Sequence, residues 1–173
     1  PHRANPFCSS EQRLAMVALA AAENPGFVVD ERELQRDKPS WTIDTLIELS
    51  QELPNTPVCF LMGMDSLLGL PSWHRWQELL DHAHLVVSMR PGWQPDYPGE
   101  VASLLARHQP RDVQDLHRHR QGHVWIADNL PIELSATRLR ALLAAGQDPR
   151  YLLPAPVADY IRRHRLYQPS PSR

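Results

Sequence analysis

The sequence lacks the features that define several classes of protein. Its 173 residues include two cysteines, Cys8 and Cys59, which are too few for a disulfide framework. No apolar run approaches the roughly 18 residues that a membrane-spanning helix needs. Lys and Arg (18) nearly balance Asp and Glu (20), so no excess of positive charge favours general binding to nucleic acid or membrane surfaces. With no recognisable secretory signal, these absences predict a cytoplasmic protein with no nucleic-acid or membrane partner.

Several catalytic motifs are missing as well. The sequence has no Gly-rich phosphate loop, no Gly-x-Ser-x-Gly elbow and no zincin motif. Its nine histidines include two close pairs, His82 with His84 and His117 with His119, but no Cys or carboxylate at matching spacing accompanies them. A solvated loop explains the second pair better than a metal does, and we predict no protein-held metal. Cys59, inside an apolar run, is predicted to be an inert core residue.

Apolar strands and amphipathic helices alternate along the chain. Continuous apolar runs, bounded by Pro or Gly, are typical of parallel strands buried on both faces. The alternation predicts one α/β domain over residues 1–167 with a parallel sheet, followed by an unstructured tail at 168–173. The predicted strands are 27–29, 58–62, 84–89 and 123–127; the predicted helices are 9–22, 42–53, 71–80, a segment around 101–105, 134–146 and one from Pro156; 109–122 is predicted to be a loop.

Two loops that follow predicted strands suit a nucleotide, because ligands of open parallel sheets bind at the carboxyl ends of the strands. Gly63 allows close backbone approach and Asp65 can accept hydrogen bonds from ribose hydroxyls, although a Gly turn capped by Asp65 is the simpler alternative. Ser135, Thr137 and Arg140 place two hydroxyls and a guanidinium at a helix start, which suits a phosphate. An ordinary capped helix is the alternative there.

Two further segments each set an aromatic residue at a predicted helix start. They are Pro39-Ser40-Trp41-Thr42, where Ser40 or Thr42 is predicted to cap the helix, and Pro71-Ser72-Trp73-His74. A ring could be stacked there and a carboxylate met by free N–H groups. Packing in the core is the alternative for either Trp.

Taken together and in order, these motifs resemble the bacterial nicotinate-nucleotide adenylyltransferases, within the nucleotidyltransferase α/β-phosphodiesterase superfamily. The matching segments span nearly the whole chain in the family's order and are more specific together than singly. They are Pro1-His2-Arg3, Asp30-Glu31-Arg32-Glu33-Leu34, Lys38-Pro39-Ser40-Trp41-Thr42-Ile43-Asp44-Thr45-Leu46, Gly63-Met64-Asp65-Ser66-Leu67, Leu70-Pro71-Ser72-Trp73, Arg90-Pro91-Gly92 and Leu134-Ser135-Ala136-Thr137-Arg138-Leu139-Arg140.

The resemblance implies a Rossmann-like, doubly wound, mostly parallel sheet with helices on both faces. It also implies adenylyl transfer from ATP to nicotinate mononucleotide, assisted by Mg²⁺, giving deamido-NAD and pyrophosphate. The residue roles that it implies are ring stacking by Trp73; carboxylate binding by N–H groups near Thr42 and His74; adenosine binding by Gly63 and Asp65; ATP phosphate binding by Ser135, Thr137 and Arg140; and a position near the phosphates for His2 and Arg3.

One family feature is absent from the chain. The signature Gly-Gly-Thr-Phe-Asp-Pro, followed by a His-x-Gly-His pair, would precede Pro1, and the resemblance implies that those histidines contact the ATP phosphates. No catalytic residue is therefore assigned. We expect a strand–helix–strand unit of roughly 30 residues to be missing, so that the chain is a fragment with little activity.

Alternatives remain open at this point. The chain could transfer an adenylyl group to nicotinamide mononucleotide or to another phosphorylated acceptor, or be a non-catalytic nucleotide-binding remnant. The oligomeric state is also open, with a homo-oligomer among the alternatives.

Overall fold

A computed structural model describes residues 8–89, 96–128 and 134–167 of the chain. The chain divides into two compact units, one of residues 39–133 and one of residues 1–38 together with 134–173. The single domain predicted over 1–167 stays a prediction. In chain order the elements are α1 (Ser10–Ala21), α2 (Thr42–Glu52), β1 (Cys59–Gly63), α3 (Met64–Leu68), β2 (His84–Ser88), α4 (Gly99–His108), α5 (Asp115–Arg118), β3 (Val124–Ala127), α6 (Ala136–Ala144) and α7 (Ala155–Arg163), with 3-10 segments at Leu70–Ser72 and Trp76–Asp81.

The unit of residues 39–133 is built on a parallel sheet in the order β1-β2-β3. β2 lies in the centre, and its register aligns Gly63 of β1 with Ser88, and Ser88 with Ala127 of β3. The three strands therefore end side by side at one edge of the sheet. This confirms the predicted parallel sheet and places the loops after the strands at a common carboxyl edge.

An apolar core cluster connects this sheet to its helices. β2 supplies Leu85 and Val87, and the surrounding helices supply Ile43 and Leu67, all of them at most 1% exposed. Each helix contributes the residues of one face, as expected of amphipathic helices that cover a sheet. The start of α2 and the turns after α3 are thereby anchored in the core.

β1 differs from its predicted burial. Its side chains alternate, with Met62 buried and Cys59 exposed, and Leu61 is 73% exposed. The predictions of a strand buried on both faces and of Cys59 as a core residue are therefore wrong. In the described part of the chain only one face of β1 is covered, so the burial follows the two-residue period of a strand.

The second unit packs α1 against α7. Ser9 accepts a hydrogen bond from the Gln12 N–H, and the Gln12 side chain accepts one from the Ser9 N–H, so the predicted capping box is formed. The predicted strand at 27–29 is absent, with Phe27 65% and Val28 90% exposed. No strand in the described residues pairs with this segment, and a strand needs a partner for its backbone groups.

Two smaller predictions are also corrected. The predicted loop at 109–122 contains the short helix α5, and the predicted helix at 71–80 is replaced by the two 3-10 segments. The 168–173 tail lies outside the described residues. No helix within the described ranges is long and apolar enough to cross a membrane.

Candidate active site

The start of α2 forms one side of the candidate site. Trp41 occupies the N-cap position in extended conformation and makes no side-chain cap bond, so the predicted capping by Ser40 or Thr42 is wrong. Its carbonyl accepts hydrogen bonds from Asp44 and Thr45. Thr42, the first helical residue, donates its N–H to no backbone carbonyl in the described part of the chain. An anion can reach this N–H at the positive end of the helix dipole.

The segment Trp73-His74 forms the opposite side. It lies between the two 3-10 segments rather than at the start of a helix, and the Trp73 N–H donates to the Leu70 carbonyl at 2.9 Å. The expectation of donors at a helix start near Ser72 is therefore wrong. Within the described ranges His74 donates its N–H to no backbone carbonyl, so a donor is available in this turn instead.

Ring contacts bring these two sides together. The ring centroids of Trp41 and His74 lie 4.9 Å apart, and Trp73 meets Phe60 of β1 edge to face at 6.2 Å. Trp41 and Trp73 are both half-buried against the apolar core, so the core-packing alternative accounts for part of each indole. The exposed part of Trp73 could stack a ligand ring.

Arg75, which was not predicted as a site residue, follows this turn directly. Its guanidinium makes two hydrogen bonds to the carboxylate of Glu78, at 2.8 and 2.6 Å, and lies 3.8 Å from the carboxylate of Asp44 in the first turn of α2. The hydrogen bond from Arg75 lowers the pKa of Glu78, and that same bond raises the pKa of Arg75. Its position directly after His74 in the sequence could have identified Arg75 as a candidate site residue.

Gly63 and Asp65 lie at the carboxyl edge of the sheet. Gly63 caps α3 and is exposed, and a Cβ added to it would meet no atom within 4 Å. Asp65, also exposed, stands in the first turn of α3. The open space beside Gly63 fits the predicted approach of an adenosine to the backbone, which stays a prediction.

The predicted phosphate residues lie in the other compact unit. Ser135 caps α6, its hydroxyl oxygen accepting the N–H of Arg138 at 3.1 Å. One turn into the helix, the half-buried Arg140 donates to the exposed Thr137 hydroxyl at 3.4 Å. The capped-helix alternative for Ser135 is thus present. The guanidinium of Arg140 separately reaches the hydroxyl of Thr137 in the first turn of the helix, near its positive end.

Other predicted site residues lie outside the described ranges. His2, Arg3 and the segment Arg90-Pro91-Gly92 belong to this group. Within residues 8–89, 96–128 and 134–167, no three side chains of His, Cys, Asp or Glu converge where a metal ion could bind. Mg²⁺ bound through the phosphates of a nucleotide keeps most of its waters and needs no such cluster.

Three of the four histidines considered for a metal, His82, His84 and His119, have hydrogen-bond partners within the fold. His84 is fully buried in β2, accepting the His123 N–H through Nδ1 at 3.1 Å and donating from Nε2 to the His119 carbonyl at 2.9 Å. His82 binds the Ser50 hydroxyl at 3.1 Å. His117 and His119 were predicted to lie in a loop. His117 instead lies in α5, and His119 directly follows the end of that helix.

Comparisons with known proteins identify the class to which this fold and site belong. The cytidylyltransferase-like family profile matches residues 1–142. Two solved structures of the Plasmodium falciparum nicotinic acid mononucleotide adenylyltransferase, complexed with APC and with NaAD, are 16% identical with TM-scores of 0.61 and 0.63; the alignments cover 92% and 94% of this chain and 76% of theirs. This likeness confirms the predicted Rossmann-like parallel sheet with helices on both faces.

Sequence relatives identify the family. The probable nicotinate-nucleotide adenylyltransferase of Aeromonas hydrophila is 82% identical over 170 residues, which are 98% of this chain and 79% of that protein. The one of Pseudomonas aeruginosa is 46% identical over 169 residues, covering 97% of this chain and 78% of its own length. The chain belongs to the nicotinate-nucleotide adenylyltransferases.

Proposed function

We propose that the protein transfers the adenylyl group of ATP to nicotinate mononucleotide, giving deamido-NAD and pyrophosphate. The 5′-phosphate of the mononucleotide attacks the α-phosphorus of ATP, a new P–O bond forms, and the bond to the β-phosphate breaks. The protein's part is to align an existing nucleophile and to stabilise the charge that develops on the transferred and leaving groups.

The observation that carries the proposal is the pair of N–H donors beside an aromatic ring. Thr42 and His74 offer their N–H groups at two segments joined by the contact between the Trp41 and His74 rings, and Trp73 is part of the second segment. A planar ring with one anionic substituent fits this combination, the ring against Trp73 and the carboxylate against the donors. Membership of the family supports the same substrate.

ATP is assigned to the remaining residues. By the family resemblance, Gly63 and Asp65 are proposed to bind the adenosine, and Ser135, Thr137 and Arg140 are proposed to bind the phosphates. Mg²⁺ bound to the phosphates of ATP would supply positive charge there, and no residue of the chain is assigned to hold it. We place this chemistry in the cytoplasm, where ATP is abundant.

The test is a direct assay of the gene product translated from its own start codon. ATP and either nicotinate or nicotinamide mononucleotide are supplied with Mg²⁺, and deamido-NAD, NAD and pyrophosphate are measured. Stoichiometric deamido-NAD and pyrophosphate with the nicotinate substrate support the proposal. Turnover with nicotinamide mononucleotide alone would replace it with the nicotinamide alternative, and no turnover with either would support a nucleotide-binding remnant.

A further inference from the structure

Arg75 has an unusual backbone for a residue with a side chain. Its φ of 51° and ψ of 39° place it in the left-handed region, directly after His74 and at the start of the 3-10 segment Trp76–Asp81. Residues other than glycine persist in this region only where their surroundings hold them there, and such positions cluster at functional sites. The contacts of the Arg75 side chain therefore indicate what fixes the conformation of the preceding turn.

Two carboxylates from different elements hold the Arg75 side chain. The fork of the guanidinium binds Glu78 three residues later, at 2.8 and 2.6 Å, and the remaining nitrogen faces Asp44 at 3.8 Å. Asp44 stands two residues after Thr42 on α2. One side chain thus connects the turn that contains His74 with the helix start that contains Thr42.

The charge of Arg75 affects how the two segments would bind a substrate anion. An unpaired carboxylate at Asp44, close to the Thr42 donor, would repel an anionic ring substituent and would not repel a neutral amide. The single positive charge of Arg75 is shared between Asp44 and Glu78 and offsets one of their two negative charges. Exposed ion pairs contribute little to stability, so preservation of the fold alone does not account for this arrangement.

Resting on the function proposed above, we propose that Arg75 is a positioning residue that sets the preference for the nicotinate substrate. It fixes the His74 N–H against the start of α2 and screens the charge of Asp44, without touching the substrate carboxylate itself. The substrate anion is therefore read by N–H groups in a region where the nearby acidic side chains are already paired.

Arg75→Gln tests this, because glutamine keeps a polar side chain of moderate length and removes the charge. In the gene product translated from its own start codon, we expect KM for nicotinate mononucleotide to rise at least about fivefold, while KM for ATP and kcat change less than about twofold. The ratio of kcat/KM for nicotinate mononucleotide to that for nicotinamide mononucleotide decreases by a similar factor. Arg75→Lys keeps the charge but not the fork, and it restores part of the loss.

A second substitution identifies the cause. If the effect of Arg75→Gln arises through the freed carboxylate, it shrinks in a protein that also carries Asp44→Asn, so the two changes are strongly non-additive. Arg162→Gln is the matched control, because Arg162 forms a similar pair with Asp159 at 2.9 Å, three residues away on α7. That control leaves every kinetic constant unchanged.

Three results would overturn the inference while the proposed function stands: an unchanged KM for nicotinate mononucleotide in Arg75→Gln, equal losses for both substrates and kcat together with a lower melting temperature, or simple additivity with Asp44→Asn. If Arg75→Gln does not fold, Arg75→Lys with and without Asp44→Asn answers the same question. Failure of the unsubstituted protein to form deamido-NAD would instead reject the proposed function.

Discussion

The rings of Trp41 and His74 lie 4.9 Å apart and tilted by 35°, although one precedes helix α2 and the other follows α3 and a 3-10 segment. Their contact places the Thr42 and His74 N–H groups in neighbouring segments. In the function proposed above, the substrate carboxylate lies between these segments and accepts hydrogen bonds from both donors.

We expect a preference of at least about tenfold in kcat/KM for nicotinate over nicotinamide mononucleotide, equivalent to ~1.4 kcal/mol. The amide of the second substrate turns its own N–H₂ toward the Thr42 and His74 donors, and each unsatisfied group costs ~1–3 kcal/mol. Side-by-side initial rates with saturating ATP measure the ratio. Equal values would remove the reason for assigning the carboxylate to these donors.

Replacement of Trp73 is expected to weaken both mononucleotides alike, because stacking does not distinguish a carboxylate from an amide. Trp73→Ala raises both KM values by roughly two- to tenfold, the range expected when an aromatic contact is lost. Because Trp73 is half-buried and contacts Phe60 at its edge, Trp73→Phe serves as the control that keeps a ring in place. A selective loss of one mononucleotide would contradict the stacking role.

Arg140→Ala is expected to impair the use of ATP. Loss of a charge-assisted hydrogen bond to phosphate costs ~1.5–3 kcal/mol, so kcat/KM for ATP should fall roughly 10- to 100-fold. Lysine at this position restores part of the activity, because it supplies charge without the planar fork. Arg107→Ala, on the exposed face of α4, is the control. Unchanged kinetics for ATP would leave Ser135 to Arg140 as a capped structural helix.

Local features of the fold were predictable from the sequence because their causes are local. The capping box between Ser9 and Gln12 depends on residues three apart, and the parallel strands at 58–62 and 84–89 follow from apolar runs. The start of a helix at Ser135 was predicted correctly for the same reason, since Ser135 caps α6.

Features that depend on distant partners were not predictable in this way. Phe27 and Val28 have strand-forming side chains, yet the segment makes no strand where no described strand pairs with it. The left-handed backbone of Arg75 divides a segment whose apolar spacing indicates one helix, and its partner Asp44 comes from another element. His84 resembled half of a metal pair, but its partners are backbone groups of residues 119 and 123.

The two cysteines should differ in reactivity toward maleimide. Cys59 is exposed on β1, whereas Cys8 is buried with its sulfur 3.2 Å from the Tyr167 hydroxyl. Partial burial raises the pKa of the Cys59 thiol, so its labelling accelerates as the pH rises toward and beyond 9. Mass spectrometry should find one label in the native protein and two after unfolding in denaturant, with none in native Cys59→Ser. Faster native labelling at Cys8 would contradict the packing described for it.

The ring of His84 is fully buried and neutral. It must be neutral because its Nδ1 accepts the His123 N–H while its Nε2 donates to the His119 carbonyl. Burial lowers the pKa of His84 below the ordinary value of about 6.5, and this effect outweighs the hydrogen bond to the His119 carbonyl, which acts in the opposite direction. Below that value the ring of His84 binds a proton in the unfolded chain but remains unprotonated in the folded chain. The contribution of His84 to the free energy of unfolding is therefore at its full value above about pH 6.5. It decreases as the pH falls toward the lowered pKa of His84 in the folded state.

Denaturant unfolding at a series of pH values between 7.5 and 5 measures this decrease. His84→Gln removes the titrating group, so the variant should be less stable at pH 7.5 but should lose part of the slope. An identical slope in His84→Gln and the unsubstituted protein would show that His84 is not the group responsible.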